Sequence, residues 1–186
     1  MNPVVKKILI IVSSFFGAAL VVAAIVMYFV ISSGFEEYRN DQAGVRLLHP
    51  KDWIVTPMAQ EDVVVVFKGP KAGPLDPYPE SFSITTKDMK KYPMNIDQYA
   101  ATIANQMTGV FKNMKMIPPV KIVLGELPGY RIVFQSEGGD DAATMAVYAI
   151  MPEKDLGMNL TYFGSTPKFL KNAWILSIMT SSFRLF

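Results

Sequence analysis

Apolar positions fall into two regimes along the chain. From Ile8 to Phe35 there is no charged residue at all. Roughly 20 apolar residues at ~1.5 Å each span a hydrocarbon core, so residues 8–32 read as one transmembrane helix. The alternative, a cleaved signal peptide, needs an apolar stretch of only ~7–15 residues. Ser32-Ser33-Gly34 supplies small residues near a cut of that kind. Residues 33–43 are mostly polar and read as a juxtamembrane linker, which leaves 44–186 for a folded domain.

Within that domain the pattern alternates or runs β-branched. Val45 to Leu48 reads as a short strand that Pro50 ends, because proline lacks an amide hydrogen and restricts φ. Trp53 to Val55 continues extended. Val63 to Phe67 and Ser81 to Thr86 read as further strands. Between them residues 69–80 carry Pro70, Pro74, Pro77 and Pro79, a density that forbids helix and central strand.

The period then changes. Ile96, Tyr99, Ala100, Ile103, Met107, Val110 and Met114 recur at helical spacing, with Asn95 as N-cap and Asp97 in the first turn. Residues 95–114 therefore read as an amphipathic helix lying on a sheet. Four strands follow: 121–126, 130–136, 143–151 and 158–164. Their spacers at 127–129, 137–141 and 152–157 have turn chemistry, and short spacers argue for antiparallel pairing. Thr166 and Pro167 open a final helix that ends near Ser182. The expected architecture is α+β, a largely antiparallel sheet with two main helices packed on it.

Charge adds an orientation. The net charge of +2 equals Lys6 and Lys7, and the remaining charges balance. By the positive-inside rule residues 1–7 are cytoplasmic and the C-terminal domain is extracytoplasmic. No basic stripe is present, which argues against nucleic acid as a partner. The chain has no cysteine. That removes disulfides, thiolate catalysis and cysteine-ligated metals, so the domain must be held by its core.

Candidate chemistry is sparse. A single histidine, His49, cannot build HExxH, and neither a P-loop nor GxGxxG occurs. Ser165 lies in Gly164-Ser165-Thr166 and not in a GxSxG elbow, yet spacing leaves a His49–Ser165 pair open beside a hydrolase using His49 and an acidic partner. The acidic pairs Glu36-Glu37, Glu61-Asp62 and Asp140-Asp141 are sequence neighbours, and neighbours in extended chain point apart. Asp140-Asp141 reads first as a hairpin tip, with calcium binding as the sharper alternative. The proline loop is the candidate partner surface, with Tyr78 displayed between Pro77 and Pro79 and Pro74 upstream. Proline lowers the entropy lost when such a loop is ordered on binding.

Gly44 to Pro50 followed by Trp53, the Val63 to Phe67 strand, Asp97-Gln98-Tyr99 opening the long helix, the Leu160-Thr161-Tyr162 strand and the final Ser182-Phe183 together resemble the PsbP/Mog1-like domains. The resemblance covers roughly residues 43 to 184 in element order. It implies an α/β/α sandwich around a central antiparallel sheet, and binding rather than catalysis. The chain departs from the photosynthetic subunit of that family in its long N-terminal anchor. No metal ligand of the family matches residue by residue, and no cofactor is expected. The implied function is a membrane-anchored, extracytoplasmic, non-enzymatic binding or assembly module with a protein partner. Two alternatives stand beside it: a photosystem II-type accessory subunit with weak calcium or manganese binding, and the His49 hydrolase.

Overall fold

The computed structural model describes residues 17, 19–22, 25, 29, 32–57, 62–71, 73, 76–91, 93–111, 113–136 and 142–186. The chain divides into two compact units, Met1–Glu36 and Glu37–Phe186. In the first, residues 17, 19–22, 25, 29 and 32–34 are helical. Ser32 and Ser33 both donate their hydroxyls back to the Phe29 carbonyl, at 3.2 and 2.7 Å. Residues 1–7 and most of the expected span 8–32 lie outside the described residues. Among those described, no helix is long and apolar enough to cross a membrane.

The stretch expected to be linker is instead strand β1, Phe35–Asn40, joined by a four-residue turn to β2, Val45–Pro50. Polar composition concealed it: much of this strand faces solvent, in the pattern buried, exposed, exposed, half-buried, exposed, half-buried. A two-residue strand at the C-terminus, β10, Arg184–Leu185, closes a three-stranded sheet in the order β1-β2-β10.

The main sheet has seven strands: β3 (Ile54–Pro57), β4 (Val63–Lys68), β5 (Ser81–Asp88), β6 (Met114–Leu124), β7 (Leu127–Ser136), β8 (Ala143–Glu153) and β9 (Leu156–Ser165). Their spatial order is β3-β4-β5-β9-β8-β7-β6, and every pairing is antiparallel. Alternation along the strands sends side chains to two cores. On one face Phe67, Phe82, Ile84 and Leu160 meet Leu47 of β2. Leu176, Met179 and Phe183, from helix α3 (Ala173–Ser182) and its C-cap, complete that core. On the other face helix α1 (Ile96–Val110) lays Tyr99, Ala100 and Ile103 on Ile132, Phe134 and Val147. The result is the expected α+β sandwich.

Helix α1 starts where the sequence says. Asn95 Oδ1 accepts from the Gln98 amide and Gln98 Oε1 accepts from the Asn95 amide, both at 2.9 Å. This capping box satisfies two donors that the first turn leaves without partners. The helix ends at Val110, earlier than periodicity predicts. Met114 is already the first residue of β6, paired with Ser136.

The turn before β7 also shifts. Pro128 and Gly129 are strand residues, and the reversal is made by Gly125 and Glu126, at φ +55° and +76°. Two successive positive φ values match the twist of a hairpin. Pro128 is tolerated because β8 pairs with β7 only from Gly129 onward. Finally, the single C-terminal helix is two: α2, Thr166–Lys171, and α3, broken at Asn172.

Candidate functional site

The proline loop joins β4 to β5. Pro74 lies outside the described residues. Pro77 and Pro79 are exposed, and Tyr78 between them is half-buried. The Tyr78 ring meets Phe163 of β9 edge-on, with centroids 5.9 Å apart. The tyrosine is therefore partly seated on the sheet, with an exposed proline on either side of it.

What holds the loop is a polar cluster beneath it. Glu80, the last loop residue, is only 3% exposed. Tyr162 donates its hydroxyl to Glu80 Oε1 at 2.9 Å. The Asn172 side-chain amide donates to both Glu80 oxygens, at 3.0 and 2.9 Å. A buried carboxylate is costly unless its lone pairs are taken up, and here three hydrogen bonds do so. Gly69 donates its amide to the Glu80 carbonyl at 2.8 Å. Earlier in the loop, Asp76 pairs with Lys168 of α2, the aspartate side chain being 5% exposed and the lysine 19%.

Two glycines make the room. A Cβ on Gly164 would sit 2.6 Å from the Tyr162 hydroxyl, and one on Gly69 would sit 3.1 Å from Glu80 Oε2. Burial and the neighbouring Glu80 carboxylate both push the Tyr162 hydroxyl up, so it stays a neutral donor. The break between α2 and α3 has a function in this geometry. It places Asn172 at a helix junction, where its side chain turns inward to Glu80. On the same helical pair Leu170 and Trp174 are 67% and 50% exposed.

His49 sits elsewhere and is buried, at 2% exposure. Its ring lies 5.0 Å from that of Phe67. Nδ1 is 2.9 Å from the Pro50 carbonyl oxygen, so the Nδ1–H tautomer donates there. Trp53, 4% exposed, belongs to the same core. Among the described residues no group of three or more histidine, aspartate or glutamate side chains could hold a metal ion. Asp140 and Asp141 lie outside them.

The loop position of Pro77, Tyr78 and Pro79 was legible from sequence. Asp76, Glu80, Tyr162, Lys168 and Asn172 were not, since 92 residues separate Glu80 from Asn172. The one local signal was an asparagine interrupting an otherwise apolar C-terminal helix, a residue type that favours helix boundaries.

No protein-family model matches the sequence, and no curated protein matches it. Solved structures do. Cyanobacterial PsbP (CyanoP) from Synechocystis sp. PCC 6803 is 13% identical with a TM-score of 0.58, covering 82% of this chain and 93% of its own. LpqN of Mycobacterium tuberculosis, described as involved in cell envelope biogenesis, is 13% identical at 0.56, covering 83% and 94%. The Saccharomyces cerevisiae Ran-binding protein Mog1p is 10% identical at 0.56, covering 81% and 95%. At such identities the likeness is one of fold: the domain has the antiparallel α+β architecture of the PsbP and Mog1p structures.

Proposed function

We propose that this protein is a membrane-anchored, extracytoplasmic binding or assembly module without catalytic activity, and that residues 76–79 with the exposed side of α2 and α3 contact its protein partner. The observation that carries this reading is the clamp beneath the loop. Three hydrogen bonds to Glu80 and the Asp76–Lys168 pair fasten both ends of residues 76–80 to the domain before any partner arrives. A preordered loop loses little conformational entropy on binding.

The fold supports binding over chemistry in one further way: Mog1p, which shares it, is a Ran-binding protein. Fold alone does not assign a partner. Burial of His49 behind Phe67 weighs against the hydrolase alternative, since a general base must reach its substrate. The charge-free run from Ile8 to Phe35, with Lys6 and Lys7 before it, supports the anchor and its orientation.

Protease treatment of sealed vesicles tests the topology. The large domain is expected to resist protease added on the cytoplasmic side and to be cut from the other. Digestion only from the cytoplasmic side would reverse the orientation.

A further inference from the structure

The two ends of the main sheet are unlike. At one end β3 has four residues, whereas at the other β6 has eleven. Among the described strands β6 pairs only with β7. A long terminal strand leaves a row of backbone donors and acceptors open to another strand, and folded proteins usually blunt such an edge with proline, lysine or a bulge.

β6 carries all three devices, but they do not cover its whole length. The register slips between Ile117 and Val120, at Pro118-Pro119. Proline cannot donate to a ladder, so this point stops any continuous pairing. Beyond it Val120 to Leu124 is free of proline. Val120 is 47% exposed and Val123 is 74% exposed. Both are β-branched residues suited to cross-strand contact.

The residues of β6 itself carry charge of one sign. β6 contains Lys115 and Lys121 and no acidic residue. Arg131, exposed on β7, is the residue paired with Val120. The Lys121 ammonium stands 5.7 Å from the centre of the Tyr130 ring and 4.0 Å from Asp97 Oδ1. Asp97 is in turn engaged by the Tyr130 hydroxyl, at 2.6 Å from the same oxygen. The lysine is thereby held over the α1 side of the strand, two residues from Val123 on the same face.

We propose that Val120 to Leu124 takes up a short strand of a partner protein in which acidic and β-branched residues alternate. The incoming backbone completes the open ladder, its acidic side chains stand on the face of Lys121, and its apolar side chains cover Val120 on the opposite face. Pro118-Pro119 limits the added strand to about five residues, because each residue advances ~3.3 Å and pairing stops at the bulge. This edge is the opposite end of the sheet from β3, and the proposal stands whether or not the proline loop binds anything.

The test uses the full chain in detergent micelles and fluorescein-labelled acetyl-Glu-Val-Glu-Val-Glu-Val-amide, with the Lys-for-Glu peptide as its counterpart. The acidic peptide is expected to bind at least about tenfold more tightly than the basic one, the preference falling with salt. Bound peptide should slow amide hydrogen exchange at Val120 to Leu124. Lys121→Gln should remove most of the preference and Lys121→Glu should invert it. Circular dichroism confirms that both variants fold, as expected for an exposed side chain. Equal affinity for the two peptides, no binding by either, or protection confined to other surfaces would overturn the proposal. So would a sedimenting dimer with these amides already protected, which would make a second copy the occupant.

Discussion

Asn172 donates its side-chain amide to both carboxylate oxygens of Glu80, at 3.0 and 2.9 Å, across 92 residues of sequence. One end of this contact is the last residue of the proline loop, the other the junction of two helices. The loop's shape thus depends on a helix break that it does not touch in sequence. Breaking the contact should change the loop before it changes the core.

Glu80→Gln keeps the shape of the side chain but sets an amide NH₂ against the NH₂ of Asn172. One buried donor then loses its acceptor, at a cost of about 1–3 kcal/mol. Urea denaturation should show the loss. Hydrogen exchange should speed up at Gly69, whose amide is bonded to the Glu80 carbonyl, more than in β8. Unchanged stability would mean that Glu80 is not buried as described.

Gly164→Ala should act on the same cluster from the other side. The new methyl would start 2.6 Å from the Tyr162 hydroxyl, so the ring must swing off Glu80. Overpacking costs about 1–3 kcal/mol. Combined with Tyr162→Phe the penalty should fall well short of additive, because the smaller ring edge relieves the clash. Full additivity in a double-mutant cycle would contradict this coupling.

Tyr99 makes stability depend on alkaline pH. Its hydroxyl is pushed up to about 12 by burial, with Asn159 opposing that shift, against 10.0 ordinarily. A group raised in the folded state contributes fully below its unfolded pKa and is lost as pH rises through the folded one. Between about pH 10 and pH 12 the protein should therefore lose about 2 kcal/mol through this residue. Tyr99→Phe, lacking the 3.0 Å bond to Asn159, should be less stable at pH 8 and should close the gap by pH 12. A gap that stays constant across that range would rule the linkage out.

His49→Ala should destabilise the domain by about 2–3 kcal/mol through lost packing on Phe67. Diethyl pyrocarbonate should modify the native histidine far more slowly than the urea-unfolded one. Rapid modification of the native protein would expose His49 and revive the hydrolase alternative.

The sheet was largely legible because the relevant signals are local. Val63 to Val66 is β-branched throughout, and Asn95 with Asp97 announces the helix start. Misreadings occurred where long-range pairing overrode local chemistry. Pro128-Gly129 has turn composition, yet Gly129 is held between Ile122 and Ile150, and the turn falls on Glu126. β1 is polar because much of it is solvated, which hid it from hydropathy. The proline loop was visible as composition, whereas its clamp was not. Glu80, Tyr162 and Asn172 meet only after β5, β9 and the α2–α3 junction have assembled.

The central claim is that the clamped loop is the partner surface, and crosslinking tests it most directly. A photoreactive phenylalanine analogue would replace Pro77 or Pro79, in the full chain in its native cell, with exposed Glu153 as the control position. The account predicts one discrete adduct from positions 77 and 79 and none from 153. That adduct should be lost when Glu80→Gln and Asp76→Asn release the loop while circular dichroism shows an intact fold. An adduct that persists undiminished after the loop is released, or equal adducts from all three positions, would contradict it.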